Sequence, residues 1–141
     1  MKKLTALLMV IILCFSMAAC SKGNGLTTVA GTTAAENPKF IQFENGLNAK
    51  GLNFKKTVKS ASLFGAIEGY GYKFDDGAAV ELYRFDKNSD AYKSAVQTGK
   101  LYLKAMHIYY SDIVINDDMI LWYYGTKTEK STVDTIFSEI K

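Results

Sequence analysis

His107 is the only histidine in the chain, so proton transfer near neutral pH has few candidate groups. A catalytic triad would need a serine and an aspartate brought beside it by the fold; the enzymatic alternative is therefore a hydrolase using His107 as base. Met106 and Ile108 alternate around it, which predicts a strand on which His107 points with Tyr109 away from the apolar side. No serine stands in a nucleophile elbow, and the chain carries neither a phosphate-cradling loop nor a dinucleotide fingerprint. No catalytic residue and no cofactor are assigned. Asp86-Lys87-Asn88-Ser89-Asp90 copies the opening of a calcium loop, but Ala91 stands where the turn needs glycine and Gln97 where a bidentate glutamate is needed. These residues read instead as the start of a helix, and no metal is expected. The paired acids Asp75-Asp76 and Asp117-Asp118 read as turn chemistry, because aspartate caps its own backbone and tolerates left-handed geometry.

The elements that must position these groups follow from periodicity. Asn37-Pro38 opens a helix; Phe40, Phe43 and Leu47 recur along it with Ile41 beside them, and Gly51 stops it. Gly46 inside this helix should cost about 1 kcal/mol against alanine. Thr57 to Ala61 reads as a short strand. Ala66 to Phe74 and Ala78 to Phe85 form a hairpin around Asp75-Asp76-Gly77. A second helix begins at Asn88-Ser89-Asp90, carries Tyr92, Ala95 and Val96 on one stripe and ends at Gly99. The segments around Met106 to Tyr110, Ile113 to Ile115 and Met119 to Tyr124 return as strands, and Val133, Ile136, Phe137 and Ile140 mark a final amphipathic helix. The expected fold is α+β: a two-layer sandwich in which helices cover an antiparallel sheet of about five strands, in the order α-β-β-β-α-β-β-α.

If Asp76-Gly77 is a two-residue turn, Tyr70 lies opposite Tyr83 and Tyr72 opposite Glu81. Tyr70, Tyr72, Phe74, Tyr83 and Phe85 then share one face, and Ile67, Gly69, Gly71, Val80 and Leu82 the other. Glycines let a helix approach closely, so the glycine face is expected to be packed. Tyr70, Tyr72, Tyr83 and Glu81 become a candidate binding surface. The competing reading is that the aromatic face is itself core, or that these tyrosines only stabilise a solvated sheet. A slip of one residue exchanges the faces.

The chain has 141 residues with 48% hydrophobic and 22% charged side chains, which excludes a disordered polymer, a coiled coil and a multidomain protein. Glu68-Gly69-Tyr70-Gly71-Tyr72-Lys73-Phe74-Asp75 resembles part of the signature strand of RNA-recognition domains, but Glu68, Lys73 and Asp75 depart from it and nucleic acid is not an expected partner. The N-terminus is more specific. Met1-Lys2-Lys3 precedes an apolar run from Leu4 to Phe15, too short to span a bilayer comfortably, and small residues lead to Cys20. Met17-Ala18-Ala19-Cys20 resembles the lipobox of bacterial lipoprotein precursors.

That resemblance implies removal of residues 1–19 and lipidation of Cys20; an ordinary secretory signal cleaved after Ala19, or a residual membrane anchor, is the alternative. Residues 20–36 then form the lipidated cysteine and a flexible tether, and residues 37–141 a single domain. Cys14 leaves with the signal, so no free thiol survives, and loss of Lys2 and Lys3 from the 17 basic residues leaves 15 against 14 acidic ones. A near-neutral chain gives no overall steering toward anionic partners. Together these features predict an extracytoplasmic protein held at the cell membrane by Cys20. They also predict a non-enzymatic module for a protein, peptide or glycan of the envelope, with a structural or immunity-type lipoprotein as a further alternative. Inner and outer membrane are not distinguished.

Overall fold

The structure, a computed structural model, describes residues 35–125 and 129–141. The expected signal segment, Cys20 and the expected tether as far as residue 34 lie outside the described residues. Helix α1 (Pro38–Ala49) begins as its sequence dictates: the Asn37 side chain accepts the Lys39 N–H at 3.0 Å and proline occupies the first turn. Phe40, Phe43 and Leu47 are buried, whereas Ile41 lies outside the stripe and is exposed. Gly51 follows with φ +71°. Gly46 has a packing reason: a Cβ there would overlap Ile136 Cγ2 on helix α3 (Lys130–Ser138), so glycine lets α1 and α3 approach.

After α1 come β1 (Phe54–Val58), a 3₁₀ turn (Ala61–Phe64), β2 (Glu68–Phe74), β3 (Ala78–Arg84) and α2 (Asp90–Thr98). The chain continues through β4 (Leu101–Leu103), a second 3₁₀ turn (Lys104–Met106), β5 (Ile108–Tyr110), β6 (Ile113–Asn116), β7 (Met119–Gly125) and α3. Five strands form one antiparallel sheet in the order β1-β2-β3-β7-β6, and β4 pairs with β5 in a separate two-stranded ribbon. The α+β class and element order are those expected. The first strand starts three residues earlier than its sequence suggested, β4 was not anticipated, and Met106 belongs to a 3₁₀ turn rather than a strand.

The β2–β3 register corrects the expected pairing. Asp75, Asp76 and Gly77 form a three-residue connection in which Gly77 N–H donates to the Phe74 carbonyl at 3.1 Å and the Asp76 carboxylate accepts the Ala78 N–H at 2.9 Å. Gly77 takes φ +88°, the left-handed residue that closes such a loop. Tyr70 consequently pairs with Leu82 and Tyr72 with Val80, while Gly69 faces Tyr83 and Gly71 faces Glu81. One residue of slip moves Tyr83 and Glu81 to the face opposite Tyr70 and Tyr72.

The packed helix face is therefore the tyrosine side of β2. Tyr72, Phe74, Val80, Leu82, Leu121 and Tyr123 meet Phe40, Phe43, Leu47, Val133, Ile136, Phe137 and Ile140 in the main core. The Phe43 and Tyr72 rings meet edge to face at 5.2 Å, and the Tyr72 hydroxyl donates to Glu44 at 3.0 Å. All four residues of the α3 stripe are buried as their spacing predicts.

The opposite sheet face carries a second, smaller cluster of Ala61, Phe64, Tyr83, Phe85, Ala95, Leu101, Leu103 and Ile120. It is covered by the 3₁₀ turn, α2 and the β4–β5 ribbon. Helix α2 starts where expected, with the Ser89 hydroxyl accepting the Tyr92 N–H at 3.2 Å and Gly99 stopping it at φ +65°, but Val96 is exposed. Asp86, read against a calcium ligand above, accepts the Asn88 N–H at 2.8 Å and so takes part in this helix start.

Candidate functional site

Glu81 is the one buried charged residue among the described residues, and the two glycines of β2 explain how its partners reach it. A Cβ on Gly69 would overlap the Tyr83 ring, and a Cβ on Gly71 would overlap Lys59 Cε. These glycines admit a ring and a lysine across the strand, not a helix. Lys59, just past the end of β1, crosses Gly71 and pairs with Glu81 Oε1 at 2.6 Å. The Tyr83 hydroxyl donates to Glu81 Oε2. Both carboxylate oxygens are therefore satisfied, which is what makes burial of the charge tolerable.

The electrostatics agree with that geometry. Partial burial draws Lys59 downward, but the Glu81 hydrogen bond and charge outweigh it and its pKa is raised. Burial, then the hydrogen bond to Glu81, pushes the Tyr83 phenol far above its usual range. Both shifts favour the protonated forms, the Lys59 ammonium and the Tyr83 phenol.

Beside it runs a row of rings. Tyr83 meets Phe64 at 4.9 Å, Phe64 meets Tyr110 at 6.0 Å, Tyr110 meets Trp122 at 4.2 Å, and Trp122 meets Tyr124 at 5.4 Å. The Lys59 ammonium lies 5.6 Å from the Tyr124 ring centre. Tyr83 and Phe64 are buried, whereas Tyr110, Trp122 and Tyr124 are half-buried. Period-two alternation along β7 puts Trp122 and Tyr124 on the Glu81 face, because Trp122 pairs with Glu81 and Tyr124 with Ala79. Three partly open rings thus border the Lys59–Glu81 ion pair on the sheet face opposite α1 and α3. Such an arrangement can stack flat groups and hold a polar substituent.

The four tyrosine-surface candidates do not form one surface. Tyr72 and Tyr83 are buried on opposite faces, Glu81 sides with Tyr83, and Tyr70 lies against Phe40 with Lys56 over its ring at 4.1 Å. The three-residue turn separates them. Glu81 and Tyr83 still belong to the candidate site, as its support. Sequence reasoning missed Trp122, Tyr124, Lys59 and Tyr110. The alternation of β7 would have yielded the first two; Lys59 had no local signal, since its position depends on an absent side chain at Gly71.

His107 does not sit in a strand. It ends the second 3₁₀ turn in the left-handed region, φ 55°, and its Nδ1 lies 2.9 Å from the Tyr102 hydroxyl. Neither a serine nor a carboxylate is hydrogen-bonded to it among the described residues. A cleft of about 510 Å³ opens nearby, lined by Ser62, Leu63, Phe64, Asp90, Tyr102 and Lys104 among others. Comparison of the chain with protein-family models, with curated proteins and with solved structures finds no match.

Proposed function

We propose that this protein is a lipid-anchored module on the extracytoplasmic side of a bacterial membrane that binds an envelope peptide, glycan or protein without transforming it. The address is supported by Met17-Ala18-Ala19-Cys20 behind a short basic and apolar leader. Two or more acyl chains at about 0.8 kcal/mol per buried methylene make such an anchor stable. The binding assignment is carried by one observation: Tyr110, Trp122 and Tyr124 form a partly open row of rings beside an ion pair locked by Tyr83. Rigid aromatic side chains lose little conformational freedom when a ligand covers them, which favours them at contact surfaces.

Trp122 is the only tryptophan in the chain, so its emission reports on this row without labelling. Titration with a soluble muropeptide, which offers both sugar rings and a short peptide, should change that emission saturably, and Tyr124→Ala should abolish the change. Unaltered emission, together with crosslinks from intact cells that map a partner away from β7, would refute this site.

A further inference from the structure

We infer that the cleft between the first 3₁₀ turn, the start of α2 and β4 binds a short peptide with both ends free, its ammonium group against Asp90 and its carboxylate against Lys104. This site is separate from the ring row on β7 and does not depend on the lipid anchor. The cleft holds about 510 Å³, within the roughly 300–1,000 Å³ of small-ligand sites. Particular contacts fix its walls. A Cβ on Gly65 would lie 2.8 Å from the Ala91 Cβ, so glycine lets the 3₁₀ turn close against α2. On the other side Tyr102 is held twice: its ring stacks on Tyr109 with centres 4.6 Å apart, and its hydroxyl lies 2.9 Å from His107 Nδ1. His107 reaches that position from a left-handed backbone, φ 55°, a conformation uncommon outside glycine.

The lining selects the ligand. Of the residues around the cleft only Asp90, in the first turn of α2, and Lys104, which opens the second 3₁₀ turn, are charged, one of each sign. Neither side chain makes an ion pair or a hydrogen bond among the described residues. A purely anionic or purely cationic ligand would bring a like charge to one of them, and a neutral glycan would leave both unmatched. Opposite charges on two different elements match a molecule that carries its own two charges at separate ends. The same cleft offers an apolar surface, the buried Phe64 and the exposed Leu63. It also offers the Ser62 and Ser94 hydroxyls, which make no hydrogen bond among the described residues and can serve as donor or acceptor to an amide. Terminal charges, amide groups and an apolar side chain occur together in a short peptide.

Titration of the isotope-labelled full chain with the tripeptide alanyl-leucyl-alanine, followed by amide resonances, tests this. Those of Leu63, Ala91 and Ser94 should shift saturably. Acetylating the peptide's amino end, or amidating its carboxyl end, should each weaken binding about tenfold. These capped peptides test both charges on the wild-type protein without any substitution. Asp90→Asn should no longer distinguish the free peptide from the acetylated one, and Lys104→Gln should no longer distinguish it from the amidated one. Both substituted side chains are exposed, so the resonances away from the cleft should match the wild type. No shift at the cleft, or capped peptides that bind as tightly as the free one, would overturn the proposal. Shifts confined to Trp122 and Tyr124 would overturn the cleft while leaving the ring row as the binding site.

Discussion

Gly69 and Gly71 do their work through what they omit. Each leaves a channel across β2, one filled by the Tyr83 ring and the other by the Lys59 stem. The two channels should respond differently to a methyl group. Tyr83 is buried and cannot swing away, so Gly69→Ala should destabilise the domain by about 1–3 kcal/mol in denaturant unfolding. Lys59 has a flexible stem and is 29% exposed, so Gly71→Ala should cost less in stability yet release Lys59 from Glu81. Glu81→Gln tests the same centre from the other side. It leaves Lys59 without its carboxylate and should cost about 1–3 kcal/mol. A variant as stable as the wild type would show that the ion pair contributes nothing and that Glu81 is held by Tyr83 alone.

Elements meet through similar omissions. Gly46 was legible as a helix residue with a propensity cost, but the reason for it lies on α3, 90 residues later, and no local pattern carries that. Propensity alone says Gly46→Ala stabilises by about 1 kcal/mol; the overlap with buried Ile136 predicts a net loss instead. A double-mutant cycle with Ile136→Ala separates the two. Once Ile136 is truncated, Gly46→Ala should turn from harmful to favourable, and a simple sum of the two losses would contradict the packing account. The helices themselves were readable because Asn37, Ser89, Gly51 and Gly99 mark their ends and the apolar spacing marks their faces. The hairpin register was not, because Asp-Asp-Gly serves two- and three-residue turns alike, and a single residue decides whether Tyr83 faces a helix or a glycine. β4 escaped notice because three residues give periodicity nothing to repeat.

At the scale of the molecule, the two sheet faces are clasped together at one end. Lys39 of α1 pairs with Asp117 and Asp118 in the β6–β7 turn, each at 2.6 Å, and Lys87 reaches Asp117 at 2.7 Å. The Tyr92 hydroxyl of α2 donates to the Asp117 carbonyl. The Lys39 hydrogen bond, then that of Lys87, holds the Asp117 carboxyl well below its usual value of 3.8. A lowered folded-state pKa stabilises the fold above the unfolded value and is lost as pH falls below it. The melting-temperature gap between wild type and Asp117→Asn should therefore be widest near neutral pH and narrow as pH falls toward about 3; a gap independent of pH would show that the clasp is not ionic. The proposed lipid anchor at Cys20 is the claim on which both the placement of the domain and its ligand class depend. The decisive measurement is the intact mass of the protein extracted from its membrane fraction. The predicted species begins at Cys20 and carries the added mass of diacylglycerol on sulfur, whereas a chain cleaved elsewhere, or one with a free Cys20 thiol, contradicts the account.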